Sequence, residues 1–213
     1  MFDPHRIDSV DALRTHYREP SQLVVDKVRT RLDEATTAFV DTCRFAVLAT
    51  EGPDGLPDAS PRGGPSGFIR VLDQQHVAIA DLGGNNRLDT LQNIVRNGRL
   101  GLILVMPGRG ETVRINGSAW VTTDPTVLGG FELPKLPKTA VVLSVATTFV
   151  HCAKAFMRSG MWQPEVWAEL ADAPDGATIL SCQRVAEIDA DTMRGLLAGG
   201  YAADLAAEAA DEP

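Results

Sequence analysis

The chain has 213 residues, of which 44% are apolar and 23% charged, a globular balance that excludes a disordered composition. Its 20 Lys and Arg against 28 Asp and Glu leave a net charge of -8, which argues against a general binder of nucleic acid or of anionic membranes, since both need basic residues to displace counterions. The longest apolar run, Leu102 to Pro107, falls far short of the roughly 20 residues that cross a bilayer, and the N-terminal MFDPHRIDSVDALRTHYREP lacks the apolar core of a secretory signal. Three widely spaced cysteines, Cys43, Cys152 and Cys182, give no disulfide or zinc framework, so a reducing cytoplasm is the expected compartment. Cys43 and Cys152 are expected to be small buried hydrophobes.

In chain order, the first 43 residues read as helix. Ser9 is placed to cap a helix beginning at Val10. Ser21 caps a second, with Leu23, Val24, Lys27, Val28, Arg31 and Leu32 at helical spacing, and a further helix fits Asp33 to Cys43. From Arg44 the texture changes. "RFAVLAT" reads as a strand, "EGPDGLP" as a hairpin turn and "DASPR" as the start of a return strand. A glycine-rich "GGPSG" leads to the strands "FIRVL" and "HVAIA"; "DLGGNNR" then opens a helix from Leu88 to about Asn97. The apolar strand "LGLILVM", the turn "PGRGE" and the strand "TVRINGSAWVTT" follow. Short strands separated by Gly and Pro turns, with one helix among them, describe a small antiparallel barrel and not alternating βα units. Beyond the linker "ELPKLPK" runs the strand-like "TAVVLSVATTFVHCAKAF", and "DAPDGATILSC" reads as loop. Residues 202–213 hold six alanines and four acids without a base, the composition of a frayed helix.

Several chemistries lack their motifs. No G-x-G-x-x-G opens a helix after a strand, and there is no P-loop, H-E-x-x-H or G-x-S-x-G. With only His5, His16, His76 and His151, a metal site is not expected. His151 and Cys152 are neighbours, which on a strand point to opposite faces and cannot form a dyad.

What remains is arginine. All eight basic residues between 44 and 123 are Arg, the side chain that grips phosphate or carboxylate with a planar fork; a general preference for Arg over Lys is the competing explanation. In Gly83-Gly84-Asn85-Asn86-Arg87-Leu88-Asp89 a strand meets a helix start. Asn86 is a candidate cap, and the free N–H groups beside Arg87 make an anion site. Along "TVRINGSAW", Thr112, Arg114, Asn116, Ser118 and Trp120 share one face, and Val113, Ile115, Gly117, Ala119 and Val121 share the core face. The first face is either solvated or the wall of a polar site. Pro61-Arg62 ends a strand before a loop whose glycines admit a flat ligand. Lys154, Arg158 and Trp162 recur every four residues, aligned if helical, and suit either a ligand or a subunit interface.

Taken in order, "FAVLAT", "ASPRG", "GNNRLDTLQNI", "PGRGETVRINGSA" and "HCAKAFMRS" resemble the pyridoxamine 5'-phosphate oxidase-like family of FMN-binding split-barrel proteins, in particular its FMN-dependent enzyme subgroup, from about Phe45 to Trp162. The resemblance implies a mainly β fold with flanking helices: a six-stranded antiparallel split barrel of Greek-key type, in a homodimer with FMN at the subunit interface. Residues 1–43 would then be a helical segment packed on the barrel, 44–201 the FMN-binding domain and 202–213 an acidic tail. By position, Ser60, Pro61, Arg62 and Gly63 would lie along the flavin and Asn86 and Arg87 would hold its phosphate. Thr112 and Arg114 would approach the ring and ribityl chain, and Lys154, Arg158 and Trp162 would complete the pocket. The expected function is an FMN-dependent oxidoreductase acting with a small-molecule substrate or electron donor. The alternative is non-catalytic storage of FMN, a deazaflavin or haem, and vitamin B6 oxidation ranks below both. Two departures stand out. Gly64 replaces an acidic residue common in the subgroup, and Ala80-Asp81-Leu82-Gly83-Gly84 replaces its Pro-Asp-Arg-Pro-Gly.

Overall fold

The computed structural model describes Asp3 and residues 5–209. Ser9 accepts a hydrogen bond from the Ala12 N–H and starts α1 (Val10–Arg14). Next comes α2 (Gln22–Asp26), which stops well short of the spacing that reaches Leu32. β-branched Val24, Val25 and Val28 hold a helix weakly, and the chain leaves it to pair with the sheet instead. Arg29 exchanges two backbone hydrogen bonds with Thr148, of 2.9 and 2.8 Å, and Leu32 drops into the core. Asp33 then caps α3 (Glu34–Thr42) by accepting from the Thr36 N–H at 2.7 Å.

The sheet follows: β1 (Phe45–Glu51), β2 (Pro57–Gly63), β3 (Ile69–Asp73) and β4 (His76–Ala80), then α4 (Asp89–Asn97), β5 (Arg99–Val105), β6 (Thr112–Thr122), the short α5 (Pro125–Leu128) and β7 (Ala140–His151). The order across the sheet is β2-β1-β5-β6-β7-β4-β3, every pair antiparallel. There are seven strands where the family resemblance implied six: β7, the stretch beyond "ELPKLPK" read as strand-like, pairs with β6 on one side and β4 on the other.

The sheet curls around one core. Ala46 and Leu48 of β1, Leu102 of β5, Ile115 of β6, Leu143 of β7, Ile79 of β4 and Ile69 of β3 all belong to a single buried cluster, which a flat sheet could not bring together. α4 lies on it through Leu91 and Ile94 and ends at Gly98, whose φ of 65° suits glycine. Period two holds in β6 after its first residue: Val113, Ile115 and Ala119 are buried and Ser118 and Trp120 are exposed, but Thr112, read onto the outward face, is buried as well. A bulge shifts the register between Asn116 and Gly117, and a Cβ on Gly117 would collide with the Ser144 carbonyl oxygen. Cys43 is buried as expected, its Sγ 3.1 Å from the Phe45 oxygen, and burial pushes its thiol pKa up. Cys152 is exposed instead, because the strand has ended at His151.

The C-terminal part is helical: α6 (Lys154–Ser159), α7 (Pro164–Glu169), α8 (Gly176–Cys182) and α9 (Ala190–Ala209). The "DAPDGATILSC" stretch read as loop thus contains a helix, started by Asp175, which accepts from the Thr178 N–H at 2.9 Å. Arg194 of α9 pairs with Asp175 at 2.7 Å, and Met193 is the one buried residue of α9. Among the described residues no helix is long and apolar enough to cross a membrane.

Candidate functional site

A hollow of about 1010 Å³ opens beside β2, which stands at one edge of the sheet. Its walls are β2 itself (58–63), the loop from β4 to α4 (80–90), the linker 133–138 and the distal end of α9. Of the sequence-predicted residues, Ser60, Pro61, Arg62, Gly63, Asn86 and Arg87 all line it. The structure therefore joins two stretches that lie 23 residues or more apart in sequence.

Arg62 comes off the inward face of β2, register partner to the buried Ala46. Its Nη1 meets Asp81 Oδ1 at 3.1 Å across the gap between β2 and the end of β4, with the two side chains only 26% and 19% exposed. Burial pushes the Asp81 pKa up, while the Arg62 guanidinium pulls it back toward its ordinary value. The Arg62 Nε is buried and has no hydrogen-bond partner among the described residues. An unsatisfied guanidinium N–H at the wall of a hollow is a donor in need of an acceptor.

Arg87 is open, 78% exposed, and its Nε pairs with Asp89 at the start of α4. Asn86 does not cap that helix. The N-cap position is Leu88, left-handed at φ 60°, and Asn86 itself sits at φ 58°. Two departures of this kind, on either side of Arg87, cost conformational energy. Asn85 takes the turn-forming part, accepting from the Arg87 N–H at 3.0 Å. A Cβ on Gly84 would meet nothing within 4 Å, so the loop backbone lies open toward a ligand, whereas one on Gly83 would collide with the Glu208 carboxylate of α9.

Of the charged groups here, sequence reasoning named only Arg62 and Arg87 as site residues. Lys135 and Lys138 come from "ELPKLPK", read only as a linker, Asp58 and Asp81 from β2 and the end of β4, and Asp204 and Glu208 from α9. The spacing of two lysines around prolines was the one available signal. The lining thus carries four cations against five carboxylates, two of which belong to α9.

The other five candidates lie elsewhere. Arg114 is the register partner of Ile103, Ile103 of Val47 and Val47 of Pro61. At about 4.8 Å per strand, Arg114 therefore stands roughly 15 Å across the sheet from Pro61. Thr112, buried, is the partner of His151. Lys154 and Arg158 lie on α6, but Gly160 ends that helix and Trp162 falls outside it, so the three do not share a helical face. Trp162 stacks on Phe156 at 5.6 Å and donates to the Arg109 carbonyl at 2.7 Å, which ties α6 to the turn before β6.

The model of the family described as pyridoxamine 5'-phosphate oxidase matches residues 32–151, more than half of the chain. The chain belongs to the pyridoxamine 5'-phosphate oxidase family. Its curled antiparallel sheet with flanking helices is the split barrel of that family. No curated protein sequence matches it. Among solved structures, HupZ of Group A Streptococcus is 16% identical, covering 56% of this chain and 93% of its own, with a TM-score of 0.44. General stress protein 26 of Bacillus anthracis is 16% identical over 54% of this chain and 88% of its own, with a TM-score of 0.40. An F420 reductase is 16% identical over 56% and 98%, also at 0.40. The family match ends at His151, so α6–α9, including the wall that α9 gives the hollow, lie outside it.

Proposed function

We propose that this protein is an FMN-dependent oxidoreductase that works as a homodimer, with the FMN phosphate held in the hollow beside β2. The observation that carries the reading is the convergence of Arg62, Asn86 and Arg87 on one hollow, with a buried Arg62 Nε left without an acceptor. The volume is at the top of the roughly 300–1,000 Å³ common for ligand pockets. Lys135 and Lys138 of the linker add positive charge to the same hollow. The donor set therefore fits a phosphate monoester, and the Ser60–Gly63 stretch, small and without long side chains apart from Arg62, offers a shelf for a flat ring.

When bound, FMN supplies transfer of a hydride or an electron pair. This chain's part is placement. Arg62 is fixed by Asp81 and donates from a set position. Arg87 is mostly exposed and can exchange Asp89 for phosphate. Charge-assisted hydrogen bonds contribute roughly 1.5–3 kcal/mol each, so two of them together with ring packing approach the roughly 8 kcal/mol of a micromolar complex.

The outward face of β1 and β5 supports the homodimer. Solvent-facing strand positions are ordinarily polar, yet here Phe45 and Ile103 are exposed beside Val47, Ala49, Gly101 and Val105. Such a flat apolar face suits a second copy. In that dimer Thr112, on the same face, and Lys154, Arg158 and Trp162, beyond its end, would reach the pocket of the second subunit.

The test is a titration of the purified chain with FMN, followed by flavin absorbance and fluorescence, then by anaerobic addition of NADH or NADPH. Micromolar uptake and reduction of the bound flavin are expected, in a species with the mass of a dimer. A chain that takes up no FMN overturns the reading, and one that binds FMN without turnover is a storage protein.

A further inference from the structure

The hollow beside β2 is walled in part by residues that the family match does not reach. Asp204, Leu205, Ala207, Glu208 and Ala209 of α9 line it, and the match ends at residue 151. Asp204 and Glu208 stand four residues apart, so both carboxylates lie on one face of the helix. The Glu208 carboxylate packs against the loop between β4 and α4, where a Cβ on Gly83 would collide with it. Gly83 stands where the subgroup's Pro-Asp-Arg-Pro-Gly has its second proline, and that departure leaves the space Glu208 takes.

The chain's other gathering of cations has no such counterpart. On the outward face of β6 and β7, Lys27, Arg114 and His151 surround Phe149. Arg114 Nε and His151 Nε2 are buried there without a hydrogen-bond partner among the described residues. That cluster lies on the face the proposed homodimer turns toward the second subunit, and it belongs to that interface. The hollow differs, because this chain supplies acids of its own. Arg62 is paired with Asp81 and Arg87 with Asp89, whereas Lys135, Lys138, Asp204 and Glu208 have no ion-pair partner among the described residues. Two cations and two anions therefore line one space without having closed on each other.

α9 is anchored at its start and free at its distal end. Met193 is its one buried residue, and Arg194 pairs with Asp175 at the start of α8. Beyond Gly199-Gly200 the described part of the helix buries nothing, and Tyr201 and Leu205 are mostly exposed. A Cβ at Gly199 or Gly200 would meet nothing within 4 Å, so close packing is not what puts glycine there. Glycine weakens a helix interior, and two in succession give a bending point between the anchored half and the free one.

We infer that residues 201–209 form an intramolecular acidic arm that competes with anionic ligands for the hollow. Docked, the arm offers Asp204 and Glu208 to Lys135 and Lys138 and rests Glu208 on the loop at Gly83. An anion entering the hollow takes over those cations and repels the two carboxylates, and the arm swings away about Gly199-Gly200. Ligand binding and arm docking then weaken each other by the same factor. The inference rests on the hollow being an anion site, as in the proposed function, and not on FMN being that anion.

Amide hydrogen exchange of the full chain, resolved by mass spectrometry into 190–198 and 201–209, tests the arm first without ligand. Gly83→Ala pushes the flexible Glu208 side chain off the loop, and Lys135→Gln with Lys138→Gln removes its counter-charges. Both should raise exchange in 201–209 several-fold and leave 190–198 unchanged. Gly199→Ala with Gly200→Ala should lower it by stiffening the helix. Inorganic phosphate and, separately, FMN are then titrated in. An anion that binds should release 201–209, and it should bind several-fold more weakly to the stiffened variant. Exchange in 201–209 that is alike in the wild type, Gly83→Ala and the lysine variant overturns the arm, and so does protection of 201–209 by phosphate. Release by phosphate with no uptake of FMN upholds the arm and removes FMN from the hollow. Binding of FMN, seen in its fluorescence, with 201–209 still protected overturns the arm and leaves the proposed function standing. Release by neither anion, when neither binds, overturns the arm and the proposed function together.

Discussion

The hollow beside β2 and the cluster on β6 and β7 both gather positive charge, and they do it in opposite ways. The hollow is made of strand β2, loop, linker and the distal end of α9, and its two arginines are already paired with carboxylates. The β6–β7 cluster is made of strand, and the two nitrogens buried there have no partner among the described residues. Pairing allows charge to sit in flexible segments without self-repulsion and to be exchanged for a ligand. A strand fixes its side chains every second residue, so its charges stay where the register puts them. The difference makes the two regions separable by experiment.

The largest effect is expected at the bulge that sets the register of the β6–β7 face. Gly117→Val should cost at least the roughly 3 kcal/mol at the upper end of overpacking, because the new side chain meets backbone and not a side chain that can turn away. Chemical denaturation measures it, and a variant as stable as the wild type would show that the bulge relaxes freely. Next is Arg62→Met. It leaves the largely buried Asp81 without its partner, at a cost of about 1–3 kcal/mol, and it also abolishes FMN uptake. Arg87→Ala separates binding from folding. With that side chain mostly in water, stability should move by less than about 0.5 kcal/mol, while FMN affinity drops roughly tenfold or more. A variant that binds FMN normally would take Arg87 out of the site. The double change Asp204→Asn, Glu208→Gln works the other way. It removes two negative charges from the wall and should raise FMN affinity about fivefold at low salt, with the gain fading at high salt.

The smallest effect, and the sharpest contrast, is in the pH dependence of stability. Asp81 has a raised folded pKa, so its contribution is full below the ordinary value of 3.8 and is lost as the pH rises through the folded value. His151 has a lowered folded pKa, so its contribution is full above the ordinary 6.5 and is lost as the pH falls through the folded value. Asp81→Asn should flatten only the acid-side feature and His151→Gln only the near-neutral one. Thermal melts of both variants from pH 3 to pH 8 would show whether the two regions titrate independently.

Much of this architecture was legible before any coordinates. The alternation in "TVRINGSAW", the Pro-Asp-Gly turn and the amphipathic stretch after Leu88 each follow from neighbours in sequence, and each appears where expected. The errors lie where distant groups decide. α2 gave way because Arg29 found a sheet partner at Thr148. Asn86 lost the capping position because the loop turns left-handed at Asn86 and again at Leu88, which puts Leu88 at the helix start. Lys135 and Lys138 looked like linker charges until the fold brought them to the hollow that β2 also lines.

The sequence by itself determined the antiparallel strands, the core faces and the two arginine-bearing stretches that meet in the hollow, because period and turn chemistry are local properties. Only the tertiary structure decided that Arg62 and Arg87 share a space and that Arg114 stands three strands away on the same sheet. That outcome depends on which strands stand next to each other, and strand order is fixed by burial of the whole core and not by any single segment.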